Sequence, residues 1–183
     1  MKGWGSSLMM KSILLRTLYD KRWFLVGWST ALSLMSILMI AMYPSLHEGM
    51  RSIAASMPEA LQGLVGDLSL FAHLDTYLSS QLYDIRIPLF LMIMSVVLAQ
   101  SISVGSEERG EMRTILSTAT SRTALYIQTL LAASLIFAVV ITTTAVVTYI
   151  GVRLLDEPVS TWLIVKLASL SFIFAMTIFA TVY

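Results

Sequence analysis

Cysteine is absent from this chain of 183 residues, which excludes disulfide bridges, thiolate nucleophiles and cysteine metal sites. Charge is scarce: Asp, Glu, Lys and Arg make up 13% of the residues, against roughly 25% in an average soluble domain. No GxxxxGK[ST] run is present, so the chain has no phosphate-cradling loop of its own and cannot be an ATPase. HExxH and GxSxG are missing too, which removes the common signatures of zinc peptidases and serine hydrolases. The two histidines, His47 and His73, stand 26 positions apart and read as surface or packing residues rather than a metal pair. A net charge of +1 carries no signal for nucleic acid, and none is expected as a partner. No cofactor is expected in this chain.

What is present in excess is apolar sequence. Hydrophobic residues make up 57% of the chain, mean hydropathy is +0.80, and several runs lack any charge for 20 residues or more. Runs of that length read as membrane spans. The fold class expected is therefore all-α: a polytopic transmembrane helical bundle, with residues 1–183 forming a single membrane domain.

Along the chain, residues 8–22 come first. Ser12, Arg16 and Asp20 fall four apart while Met10, Ile13, Leu14 and Leu18 cover much of the opposite face. That pattern predicts an amphipathic helix at the membrane surface, the alternative being a plain extension of the first span. The segment is too long and too polar for an ordinary secretory signal, so the first span is read as retained. Span one is 23–43, with Trp23, Trp28 and Tyr43 as interface aromatics and Pro44 as its stop. Residues 45–85 are mixed in polarity and predict two or three short external helices resting against the membrane, one of them carrying Leu70, Leu74, Tyr77 and Leu78 at helical spacing. Span two is 87–106. Span three falls within 123–151, its first turns interfacial and its core at about 130–150. Span four is 162–183, with Lys166 one turn in and able to snorkel. Because the last run is not closed by polar residues, more spans are expected beyond it.

Orientation follows from Lys and Arg. Eight of them (Lys2, Lys11, Arg16, Lys21, Arg22, Arg109, Arg113, Arg122) fall in the N-terminal segment and the 107–122 loop, and four (Arg51, Arg86, Arg153, Lys166) on the other side. The positive-inside rule assigns the first group to the cytoplasm. No charged residue falls in the middle of spans one to three, which argues against a proton- or ion-coupled path. Ser95, Ser101, Ser103 and Thr142 to Thr144 are read as helix–helix hydrogen-bonding residues. The twelve methionines suit adaptable packing.

The stretch "SVGSEERGEMRTILSTATSRT", residues 103–123, holds six of the 23 charged residues. As a helix it would set Glu107 against Glu111 and Arg109 against Arg113, like charges four apart that repel mildly. Self-stabilisation therefore does not explain it. After Gly110, residues Met112, Ile115, Leu116 and Ala119 form an apolar stripe, and Ser121 can cap the helix that follows. Composition alone leaves two readings open, a docking element and an ordinary solvated loop.

"EERGEMRTILSTATSRTALYIQTLL" resembles the loop between the second and third spans of the ABC-2 type permeases, the transmembrane subunits of ATP-binding cassette exporters. The features that carry the resemblance are Glu107, Glu108, Gly110, Ile115, Leu116, Ser121 and Arg122. The chain departs from the family in having Ala119 where many members have Pro, and Glu111-Met112 where a Thr-Leu pair is common. The resemblance implies that 107–121 is a cytoplasmic coupling helix, with Glu111, Met112 and Arg113 among its ATPase-facing residues. It implies that 8–22 is a connecting helix touching the same ATPase through Lys11, Arg16, Asp20, Lys21 and Arg22. The partners it implies are an ABC ATPase in two copies or two domains, which would bind ATP and magnesium, and a second permease domain, identical or not. It further implies a prokaryotic inner or plasma membrane, surrounding lipid, and a hydrophobic or amphipathic substrate such as a drug, antibiotic or lipid. A full family domain has six spans. The alternative function is a non-transporting membrane assembly or interaction protein; a secondary transporter or membrane enzyme is the third.

Overall fold

The computed structural model describes residues 18–56, 73–108, 122–155 and 159–183. Every element among them is helical, and no strand occurs among the described residues. Helix α1 is Arg22–Ser56. Helix α2 covers 74–108 in three continuous parts, Leu74–Tyr77, a π-helical Leu78–Arg86 and Ile87–Glu108. Helix α3 is Arg122–Leu154 and α4 is Thr161–Val182. Each contains a window long and apolar enough to cross a membrane: Arg22–Gly49, Leu74–Ile102, Tyr126–Leu154 and Thr161–Val182. The chain thus has the architecture of a multi-pass membrane protein.

Helices α3 and α4 coincide closely with the expected spans. The other two do not end where the sequence reading puts them. Pro44 lies inside α1, which continues to Ser56. A proline deprives one carbonyl of its helical partner and would break a helix in water, but spans tolerate it because neighbouring helices and local adjustment satisfy the freed group. At the other end of the expected external segment, residues 74–86 are not a separate helix on the membrane surface. They continue into α2, and their apolar stripe faces protein: Leu74, Tyr77, Leu78 and Leu82 are all buried. Tyr77 packs on α1, its ring 5.4 Å from that of Tyr43 and its hydroxyl 3.6 Å from the Met39 sulfur. The remainder of the external segment, 57–72, lies outside the described residues.

The helices alternate in direction. Lys21, just before α1, donates to the Ser101 carbonyl near the end of α2 (3.4 Å). The start of α3 meets the end of α4, where Tyr126 stacks on Tyr183 at 5.9 Å. These contacts define one end of the bundle, here the lower end; Tyr43, Tyr77 and Gly151 mark the upper end. Around the bundle α1 packs chiefly on α3, α3 also on α4, and α4 on α2, whereas α1 touches α2 only lightly. The two pairs α1/α3 and α2/α4 are therefore parallel. Small buried residues permit close approach: Ala99, Ala132, Ala133 and Ala175 at the helix contacts, and Gly151 beneath Ile40. Phe137 of α3 and Phe179 of α4 fill the lower interior edge to face at 6.0 Å.

Candidate functional site

The lower end brings together two segments that the sequence singled out. Asp20 is exposed and Lys21 half-buried immediately before α1, and the Lys21 ammonium reaches the carbonyl of Ser101. Arg22 opens α1 with its guanidinium 4.1 Å from the ring centre of Tyr19. Glu107 and Glu108 are the last two residues of α2, and Arg122 is the first of α3. The short connection between them starts and ends at this same end of the bundle. Lys11, Arg16, Gly110, Glu111, Met112, Arg113, Ile115, Leu116 and Ser121 lie outside the described residues, as do most of the expected connecting and coupling helices.

The side of the bundle carries a second feature, which sequence reasoning missed. Between α3 and α4 runs an open furrow of about 700 Å³. Ala138, Ala145 and Tyr149 line it on α3, and Ala168, Ser169 and Phe172 on α4. Small side chains at three of these positions hollow the surface between the larger ones. At its upper end Arg153 rests 5.2 Å over the Tyr149 ring. The lining is almost wholly apolar, and Ser169 turns its hydroxyl proton to the Val165 carbonyl of its own helix (2.8 Å). Such a surface holds an acyl chain, an aromatic body or another helix by dispersion and exclusion of solvent. Its only sequence signal is the alanine spacing: each helix is apolar all round, so no stripe marks the furrow beforehand.

The interior is polar in places. Ser36, Ser95, Thr144, Thr148 and Ser171 are buried, and each donates to the carbonyl four residues earlier at 2.7–3.0 Å. Ser95 also reaches across to the Ala175 carbonyl at 3.2 Å, a helix–helix hydrogen bond of the kind expected for it. Thr143, by contrast, is exposed and bonds within its own helix. Arg86 is half-buried in α2 and folds back toward the upper end, donating to the main-chain and side-chain oxygens of Gln81, the latter at 3.0 Å. Lys166 is exposed near the start of α4. Both cations thus sit in the upper part of the bundle, where long side chains can lift their charge toward the interface. Among the described residues no group of three or more His, Asp or Glu side chains could hold a metal ion. His47 stacks on Tyr43 at 5.6 Å, and His73 is exposed before α2.

No protein-family model, curated protein or solved structure matches the chain.

Proposed function

We propose that this chain is a permease subunit of an ATP-binding cassette exporter of the ABC-2 type, multi-pass in a prokaryotic cell membrane with its N-terminus in the cytoplasm. It forms part of the path for a hydrophobic or amphipathic substrate and takes its energy from a separate ATPase subunit that binds ATP and magnesium. The observation that carries this reading is the charged, glycine-containing stretch 107–122, which joins the end of α2 to the start of α3. The Lys21–Ser101 contact supports it, since it sets Lys21, the residue before α1, beside the last turns of α2, from which that connection leaves. The apolar furrow between α3 and α4 suits greasy cargo or the remaining spans of a larger permease domain.

The test is co-purification with the ATPase and ATP-dependent export in membrane vesicles. Gly110→Pro and Glu108→Lys should each lower ATPase retention or transport at least tenfold while leaving the membrane domain folded. Wild-type partner binding and export in both variants would overturn the proposal. The furrow also favours a second reading, a non-transporting assembly protein that holds a partner helix in that groove. Under that reading the chain would capture a membrane partner with no ATP dependence and no associated ATPase.

A further inference from the structure

The furrow between α3 and α4 does not run the whole depth of a membrane. Its lining extends on α3 from Tyr149 down to Ala138, and on α4 from Thr161 down to Ile173. At a rise of about 1.5 Å per residue that is about 17 Å, roughly half of a hydrocarbon core about 30 Å thick. Below it aromatic packing closes the two helices together. Phe137 meets Phe179 at 6.0 Å, Phe179 stacks on Tyr183 at 5.5 Å, and Tyr183 stacks on Tyr126 at 5.9 Å. The furrow thus starts at the upper end of the bundle, runs the depth of one leaflet and stops near the middle. A docked transmembrane helix needs a seat along its whole length, and the lower half offers none. An acyl chain of the upper leaflet matches the depth that is there.

Each side of the mouth carries one cation. On α3, Arg153 stands one turn above Tyr149 on the same face, its guanidinium 5.2 Å from the centre of that ring. On α4, Lys166 is exposed beside the lining residue Val165 and one turn below Trp162, which is 73% exposed. Trp marks an interface level, and the lysine stem can lift its charge toward the same level. The connection to α4 carries Asp156 and Glu157, which balance these two cations in formal charge. The mouth therefore selects no anionic surface in general. What it offers is local: a guanidinium fork and an ammonium, both suited to the oxygens of one phosphate.

We propose that the furrow is a phospholipid site. One acyl chain lies between α3 and α4, and the headgroup phosphate is held by Arg153, with Lys166 on the opposite rim. The lipid comes from the leaflet at the upper end, away from Lys21 and Arg22. This does not depend on the transport reading, because a lipid retained here needs no ATPase.

The test is photo-cross-linking of the full chain in lipid nanodiscs doped with a phosphatidylcholine that bears a diazirine midway along one acyl chain, followed by peptide mapping. Labelling of 138–149 and 165–173 should exceed several-fold that of Leu38 and Met42 on α1 and of Leu89 and Ile93 on α2, exposed apolar residues in the same half of the bundle. Even labelling of all these surfaces would overturn the site. Labelling lower in the furrow than elsewhere, the result if another polypeptide covers it, would overturn it as well. A diacylglycerol with the same photoreactive chain but no phosphate should label the furrow several-fold less than the phospholipid, and equal labelling would overturn the role of the mouth. Arg153→Gln combined with Lys166→Gln should bring the phospholipid down to the diacylglycerol level. Undiminished labelling in that folded double variant would overturn the assignment to these two cations. The wild-type comparisons are decisive by themselves if the variant does not fold.

Discussion

Helix α3 borders two hollows, and Ile141 belongs to the lining of both. On one side is the furrow shared with α4, about 700 Å³, open to the side and lined by alanines and aromatics. On the other is the central cavity, about 10 Å³, walled by buried residues and edged with hydroxyls. The large hollow has four hydroxyls, on Thr142, Tyr149, Thr161 and Ser169, spread along a lining that an apolar neighbour serves well. The small one gathers three, on Tyr83, Thr144 and Ser171, with Thr148 as a hydrogen-bonding neighbour of Tyr83. Size and density of hydroxyls run in opposite directions here. The reason is that small side chains at a helix surface open space without adding polarity, whereas helices that converge on one point bring their hydroxyls together in little space.

The sharpest way to break the comparison is to remove the shared wall. Ile141→Ala should join the hollows and cost about 2–4 kcal/mol, the usual range for truncating a buried isoleucine. A denaturant titration in mixed micelles would measure it, and a near-neutral result would show that the wall is not packed as described. Overfilling the small hollow comes next. Ser171→Leu adds bulk where α4 meets the cavity and should cost about 1–3 kcal/mol by the same titration. The matching change in the furrow should behave differently. Ser169→Leu, at an exposed position of the lining, should alter stability by less than about 0.5 kcal/mol, as for other changes at open positions. It should nonetheless weaken retention of a photoreactive fatty acid in that groove by several-fold, read by cross-linking. If Ser171→Leu and Ser169→Leu cost the same, the distinction between the hollows fails.

The smallest effect is expected at Gly151 on α3. A methyl there would stand 2.8 Å from the Ile40 Cδ1 atom, so that side chain must turn aside. Against this, alanine stabilises a helix interior by about 1 kcal/mol relative to glycine. The two terms nearly cancel, and Gly151→Ala should melt within a degree or two of the parent by thermal scan. Gly151→Leu, which cannot be cleared by moving one methyl, should be clearly less stable.

Much of the fold was legible because long charge-free runs have few other uses. The spans expected at 123–151 and 162–183 end within three residues of the ends of helices α3 and α4. The first span was cut short because a rule learned from water was applied at Pro44. The upper part of α2 was read as a surface helix because Asp75, Ser79, Ser80 and Asp84 give it a polar average. Its buried face, with Leu74, Tyr77, Leu78 and Leu82, packs into the bundle instead. The furrow and the Tyr83 cavity were not legible at all. Each exists only between helices, and the spacing within any one of them does not state which helix will lie alongside. The charged stretch stood out on composition, and its ends fall where α2 stops and α3 starts.

The pairing of α1 with α3 and of α2 with α4 bears on how the chain is made. Each of the first two helices leaves the ribosome long before its principal neighbour exists. An α1–α2 hairpin therefore gains little by lingering as a unit, and both helices must be apolar enough to wait in lipid alone. Pairing among these four helices is then a late event, begun when α3 arrives for α1 and extended when α4 closes on α2, so a stall in translation after α2 would leave two unmated spans exposed to membrane quality control.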